Sequence, residues 1–201
     1  MARPTTIKDE TIIAAAREVF LEKGIQATTA EVAERAGVSE GTIFNRFKTK
    51  YELFQAAMEQ LEEPVWVRTL TENIGKRDVR ETLETAALQA IEFFRKIVPL
   101  MMMSWSNQKD GLPAPLTQPN PPPLRALRAL TGYFEAEMRG GRLRRHDPEI
   151  CARSFAGSVQ SYVFFEILMT AHQVLPLPAE TFVRGLVNLF WTGAEPVGKG
   201  A

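Results

Sequence analysis

The sequence predicts an all-α fold of about nine helices. Residues that open helices recur along the chain, and between them apolar residues repeat at the three- and four-residue spacing of a helix. Beyond Phe54, no run alternates apolar and polar residues between hairpin turns, as a half-buried strand would. We place a three-helix domain at residues 1–49 and a larger helical domain at residues 50–201.

The first helix is predicted from four apolar residues on one face. Ile12, Ala16, Val19 and Phe20 lie at the i, i+4, i+7 and i+8 positions, and Gly24 follows them. Because glycine adopts the conformation that ends a helix, we expect the helix to stop at Gly24.

Two short helices joined by a glycine turn follow. Thr28 and Glu31 form a capping box, which predicts the start of the second helix. Gly37 supplies the left-handed residue that ends it, and Ser39 is placed to cap the third helix. This layout is typical of a helix-turn-helix, which places its second helix in the major groove of DNA.

The third helix has one apolar face and one polar face. Ile43 and Phe47, four residues apart, face the core, and a second capping box, Thr49 with Glu52, opens a fourth helix. The opposite face carries hydrogen-bonding groups suited to base edges and phosphates. Its residues are Gly41, Thr42, Asn45 and Lys48, and the cations near it are Arg3, Lys8, Arg46, Lys48 and Lys50.

The stretch from Thr29 to Phe54 resembles the N-terminal signature of TetR-type (tetracycline-repressor-like) bacterial transcriptional regulators. The likeness rests on AERAGVSEGTIF at residues 33–44 and FKTKYELF at residues 47–54. The resemblance implies a recognition helix from Glu40 to Lys48 and an operator of double-stranded DNA. Together, the polar face and the resemblance predict these DNA-contacting residues: Thr28, Thr29, Ser39, Gly41, Thr42, Phe44, Asn45, Arg46, Lys48 and Lys50.

Two positions depart from the family pattern. Phe44 stands where the family usually has a tyrosine whose hydroxyl binds a phosphate, so that contact is lost or replaced. Arg46 stands where the family often has an aromatic residue or histidine, and either a guanine or a phosphate is a reasonable partner for it.

Beyond Phe54 the chain reads as further helices separated by proline and glycine. We predict a helix from Lys50 past Leu61 to about Asn73, bent near Pro64. The other predicted segments are a helix at 79–98 that Pro99 kinks or ends, a proline-rich loop at 107–123, and helices at 123–139, 148–172 and 178–192.

The middle helices are the predicted sensor for a small organic effector. They contain aromatic and thioether side chains around a proline-bent segment, and Met is adaptable enough to line a cavity for apolar ligands. For any one of these residues, simple core filling is the alternative. The set is Trp66, Phe93, Phe94, Met101, Met102, Met103, Trp105, Tyr133 and Phe134.

The last two helices are predicted to form a homodimer interface. They carry apolar or small residues on nearly every face, so one face packs in its own subunit and another needs a partner. A central helix of a monomeric bundle is the alternative. The predicted interface residues are Phe155, Tyr162, Phe165, Phe182, Leu186 and Phe190, and a two-fold dimer matches a near-palindromic operator.

Composition excludes several classes of protein. The 24 basic and 24 acidic side chains cancel, so any basic footprint is local. The single Cys151 excludes an internal disulfide and fits a reducing cytosol. No signal peptide is visible, and the most apolar stretch, residues 155–169, is too short to span a bilayer. We therefore expect a soluble, cytoplasmic protein.

The sequence contains no catalytic motif and indicates no metal or cofactor, so we predict that the protein is not an enzyme. The leading hypothesis is a homodimeric repressor that an apolar or amphipathic ligand releases from its operator. The second is a helical ligand-binding or interaction module whose helix-turn-helix no longer binds DNA. Phe44 and the zero net charge support the second hypothesis.

Overall fold

The computed structural model describes residues 8–59, 63–106, 119–169 and 171–192. These ranges contain nine helices of seven or more residues, one of four residues, a 3-10 turn and no strand, which confirms the all-α prediction. The helices are α1 (Asp9–Lys23), α2 (Thr29–Ala36), α3 (Glu40–Arg46), α4 (Lys50–Glu59), α5 (Val65–Glu72), α6 (Val79–Ser106), α7 (Pro122–Arg139), α8 (Pro148–Leu168), α9 (Ala171–Val174) and α10 (Ala179–Thr192).

The described residues form two compact units. One comprises residues 8–59, 95–106 and 119–124, and the other comprises residues 63–94, 125–169 and 171–192. The domain boundary predicted at residue 49 stays a prediction. Within these ranges, no helix combines the length and the apolar character that a membrane crossing needs.

In the first unit, α1 packs against α2 and α4. Ile12, Val19 and Phe20 of α1 are fully buried, as their shared face predicts. The Phe20 ring meets the Phe54 ring of α4 edge to face, with 5.4 Å between the ring centroids. This core supports the helix-turn-helix from the side opposite its solvent-exposed face.

The prediction is wrong at Pro64, and at Pro99 one of the two predicted outcomes, an end to the helix, is wrong. The prediction of one helix running through Pro64 is wrong, because residues 63 and 64 are not helical and α5 begins afresh at Val65. The residue before a proline avoids the helical conformation, which favours this break.

Pro99, in contrast, lies inside α6, which continues to Ser106. Ile97, two residues before Pro99, is buried, so packing favours a continuous helix although proline cannot donate a backbone hydrogen bond.

Helix α8 ends at Leu168, four residues before the predicted end at His172. Its N-terminus matches the prediction: the Asp147 carboxylate accepts hydrogen bonds from the backbone N–H groups of Glu149 and Ile150. No glycine or proline marks the C-terminal end, so apolar periodicity alone overestimated the length. Of the predicted loop at 107–123, residues 107–118 lie outside the described part of the chain.

In the second unit, the turn between α5 and α6 is fixed by a buried carboxylate of α7. Glu137 Oε1 accepts a hydrogen bond from the backbone N–H of Gly75, 2.9 Å away. Its Oε2 accepts from Arg142 Nε at 2.7 Å, and Arg142 also donates to the backbone carbonyl of Arg77. The Glu137 side chain is fully buried, so one carboxylate connects the end of α7 and the turn after it to the turn at Gly75, 62 residues away in sequence.

Candidate nucleic-acid interface

Local side-chain chemistry fixes the start of α2. The Thr28 hydroxyl accepts a hydrogen bond from the Glu31 N–H at 3.2 Å, and the Glu31 carboxylate accepts one from the Thr28 N–H at 2.9 Å. Lys23 of α1 donates to the same carboxylate at 2.7 Å. The bond from Lys23, followed by those from Thr28, lowers the pKa of Glu31 to about 2, so this cap stays charged at physiological pH.

The turn and the second cap also match the prediction. Gly37 has φ 68°, a left-handed conformation that a side chain disfavours, and its N–H bonds back to Ala33 and Glu34. Ser39 then accepts a hydrogen bond from the Thr42 N–H at 3.2 Å, which opens α3. The two helices are thus held at a defined angle by backbone and cap geometry.

The outward face of α3 carries the predicted polar groups. Ile43 is fully buried and Phe47 is half-buried, whereas Gly41 and Asn45 are exposed. Phe44 is exposed to 44% on this face, although it is a large apolar residue. Asn45, Gly41 and Phe44 are therefore accessible to a ligand from solvent.

Two residues predicted to contact DNA are already bonded to other residues of the protein. Arg46 Nη1 lies 2.5 Å from Asp9 Oδ1 of α1, so its guanidinium is in an ion pair. Thr29 Oγ1 donates to Glu40 Oε1 at 2.5 Å, so the hydroxyl proposed for a phosphate serves a carboxylate. These bonds connect the last residue of α3 to α1 and the first residue to α2.

Sequence reasoning missed both acidic partners. Asp9 and Glu40 lie 37 and 11 residues from Arg46 and Thr29, respectively. Pairing over such separations leaves no local pattern. The only available signal was the position of Glu40 directly after the Ser39 cap, at the exposed end of the predicted recognition helix.

Lys48 and Glu52 order the start of α4. Glu52 N–H donates to Thr49 Oγ1 at 3.0 Å, as the predicted capping box requires. The Glu52 carboxylate, however, accepts from the Lys48 N–H at 2.8 Å rather than completing the box. Lys48 Nζ donates to the backbone carbonyl of Asn45 at 3.3 Å, which holds a cation beside the exposed face of α3.

The residues of the predicted sensor fall into separate groups. In the second unit, the Trp66 and Phe93 rings lie 6.3 and 5.5 Å from the Phe94 ring. Tyr133 and Phe134 belong to a different aromatic cluster, whose rings include Phe155 and Phe190. Met101 and Met102 are half-buried on the part of α6 that belongs to the first unit, and the side chains of Met103 and Trp105 lie outside the described residues.

The predicted interface residues also fall into two groups: five pack within their own chain, and one is half exposed. Phe155 and Leu186 are buried within their own chain, and Phe190 packs on Phe155 with 5.5 Å between the rings. Tyr162 and Phe182 stack at 4.4 Å, and the Tyr162 hydroxyl donates to the Leu177 carbonyl. Phe165, in contrast, is half exposed.

This geometry defines a helix-turn-helix protein, and comparison with known proteins identifies its family. The model for bacterial regulatory proteins of the tetR family matches residues 12–57. The model for the AefR-like transcriptional repressor C-terminal domain matches residues 121–192. TtgW of Pseudomonas putida, an uncharacterized HTH-type transcriptional regulator, is 32% identical over 96 residues, which cover 45% of this chain and 71% of TtgW. The chain therefore belongs to the tetR family, which consists of regulatory proteins.

Another relative matches a smaller share of the chain. YvkB of Bacillus subtilis, an uncharacterized HTH-type transcriptional regulator, is 46% identical over 59 residues, or 29% of this chain and 30% of YvkB. The chain thus covers less than a third of the length of this relative.

Similar solved structures extend over nearly the whole chain. FadR from Bacillus subtilis in complex with stearoyl-CoA covers 94% of this chain and 100% of its own, with 18% identity and a TM-score of 0.55. SCO0520 from Streptomyces coelicolor, a TetR transcriptional regulator, covers 95% and 100%, with 20% identity and a TM-score of 0.54. At these identities the likeness shows a shared fold.

Proposed function

We propose that this protein is a homodimeric repressor that binds a near-palindromic DNA operator and leaves it when a small apolar or amphipathic ligand binds. The observation that supports DNA binding most directly is the exposed polar face of α3, with Asn45 in its middle and Lys48 beside it. Such a face fits the major groove, where amide side chains read base edges and cations meet phosphates. The repressor-type C-terminal model favours repression over activation.

The exposed apolar faces of α8 and α10 support dimerisation. Phe165 and Leu189 are exposed to 50% and 59%, although both are large apolar residues. Gly157 and Gly185 have open space where a Cβ would lie, which permits another helix to approach closely. Exposed apolar surface on two adjacent helices is typical of an interface, and a second copy supplies the same surface by symmetry.

We expect Phe165→Asp to dissociate the dimer while the subunit stays folded. The substitution places a charge in the proposed interface, where desolvation costs several kcal/mol, so the dimer dissociation constant should rise by about a hundredfold or more. Analytical ultracentrifugation at micromolar concentration measures this change.

Val65→Asp is the matched control for that variant. Val65 is also exposed and apolar but lies on α5, outside both interface helices. It should leave the dimer intact. A wild-type protein that sediments as a monomer at micromolar concentration would show that the dimer assignment is wrong.

An unpaired buried donor supports the effector site. Trp66 is 7% exposed, and its indole Nε1 finds no acceptor among the described residues. A buried donor without a partner costs free energy, which a ligand oxygen can recover. The adjacent Phe93 and Phe94 rings provide apolar contact, so an amphipathic ligand fits this cluster best.

Stearoyl-CoA is a rational first compound because it is bound in the FadR structure. We expect it to release the protein from DNA, whereas coenzyme A without the acyl chain should not. Trp66→Phe keeps an aromatic ring but removes the N–H donor, so it should weaken ligand-dependent release and leave ligand-free DNA binding unchanged. Fluorescence anisotropy of labelled DNA measures both. If neither stearoyl-CoA nor a panel of smaller amphipathic compounds releases DNA, ligand control is contradicted.

The alternative function is a helical module that no longer binds DNA. The Asp9–Arg46 ion pair favours this alternative, because it neutralises one of the cations predicted to contact DNA. Selection from a randomised duplex pool distinguishes the two functions, since only a DNA-binding protein enriches a motif.

A further inference from the structure

We propose that Glu40 determines operator specificity: its carboxylate accepts a hydrogen bond from the amino group of a cytosine and penalises other sequences. This inference rests on the proposed function, because it assigns a role within the same DNA-binding surface. It is carried by the position of Glu40, by the bond that orients it, and by its charge.

Glu40 is the first helical residue of α3, and its side chain is exposed. In helix-turn-helix proteins the N-terminal residues of the recognition helix contact base edges. The side chain of Glu40 is therefore among those that meet the major groove first.

Thr29 of α2 fixes the orientation of this carboxylate. Its Oγ1 donates to Glu40 Oε1 at 2.5 Å, within the short range of hydrogen bonds between hydroxyls and ionised carboxylates. The described part of the chain offers no donor to Glu40 Oε2. One oxygen is thus held by the protein and the other is available to a base.

The charge of Glu40 makes that available oxygen selective. An anion beside DNA is repelled by the phosphates of every sequence, whereas Lys48 and Lys50 attract all sequences alike. The repulsion is offset only where a base edge offers a donor. In the major groove, a carboxylate is suited to the N4 amino group of cytosine. Glu40 therefore lowers affinity for unmatched DNA more than for the operator, which increases specificity.

A purely structural role for Glu40 makes a different prediction. An acidic residue in the first turn stabilises a helix through the helix dipole. Replacement would then lower thermal stability without changing which bases are preferred. Base preference is therefore the deciding measurement.

The test compares wild-type protein with Glu40→Gln, Thr29→Val and Glu34→Gln in selection from a duplex pool randomised over about 30 base pairs, three DNA turns. Glu34→Gln is the matched control, because it removes the same charge from an exposed position of α2. Each variant is also titrated with one random-sequence duplex, and its thermal melting is recorded by circular dichroism.

We expect the wild-type motif to contain a cytosine at one position of each half-site. Glu40→Gln should reduce that preference by about 5- to 150-fold, shift it towards adenine, and tighten binding to the random duplex. Thr29→Val, which removes only the orienting hydroxyl, should reduce the preference by less. Glu34→Gln should leave the motif unchanged.

Two outcomes overturn the proposal and are distinguishable. If wild-type protein selects a motif and Glu40→Gln selects the same one, Glu40 does not determine specificity and the proposed function stands. If the wild-type protein selects no motif, sequence-specific DNA binding is refuted, and with it both the proposed operator function and the role of Glu40.

Discussion

Raising the salt concentration from 50 to 200 mM should weaken operator binding by about three to five decades, if the dimer makes roughly six to ten phosphate contacts. The physical reason is the release of counterions from DNA by cations at the interface. Those cations include Lys48, held beside α3 through the Asn45 carbonyl, and Lys50 at the start of α4, together with the N-terminal Arg3 and Lys8. Fluorescence anisotropy with a labelled operator duplex, repeated at several salt concentrations, gives the slope.

Two substitutions distinguish electrostatic attraction to any DNA from recognition of particular bases. Lys50→Ala should weaken binding to all sequences and reduce the slope by about one for each contact removed. Asn45→Ala should change the preferred sequence and leave the slope unaltered, because an amide carries no charge. An unchanged motif after Asn45→Ala would contradict the groove-facing orientation of α3.

Arg46 should contribute less to the salt dependence of DNA binding than its place beside the exposed face of α3 suggests. Its guanidinium pairs with Asp9 at 2.5 Å and is only 27% exposed. A phosphate contact would require Arg46 to exchange one anion for another, so fewer counterions are displaced. The pair instead connects the end of α3 to α1 and orients the recognition helix.

The sequence predicts the helix-turn-helix well because its geometry is set locally. Gly37 ends α2 through its own backbone conformation, and Ser39 caps α3 through a bond to a residue three positions away. Asp147 acts in the same way at α8. Each signal and its consequence lie within one helical turn, so reading the chain residue by residue is sufficient.

Contacts between distant residues could not be predicted in this way. Nothing near Phe155 shows that its ring meets Phe190 of the same chain rather than a partner subunit. The Glu40–Thr29 bond depends on the angle between two helices, which the sequence does not specify. Apolar periodicity identifies a buried face, but it cannot distinguish core from interface.

A substitution at the buried Glu137 should strongly reduce stability. Glu137→Ala leaves the Gly75 N–H and Arg142 Nε without their acceptor, while Arg142 keeps its bond to the Arg77 carbonyl. Breaking a buried pair from one side typically costs 3–5 kcal/mol. Arg142 keeps a 34% exposed side chain and can regain some hydration, so we expect about 3 kcal/mol, the lower end of that range. Urea unfolding at fixed protein concentration, followed by circular dichroism, measures the loss.

Glu135→Ala is the matched control, on the same helix and two residues earlier. Glu135 pairs with Arg139 at 2.7 Å, but both side chains are more than half exposed. Exposed pairs four residues apart contribute about 0.3–0.5 kcal/mol, because water solvates both charges. The contrast isolates burial, since residue type, helix and partner type are the same. Equal losses for the two variants would mean that the turn at Gly75 does not depend on Glu137, and that some other contact holds it against α7.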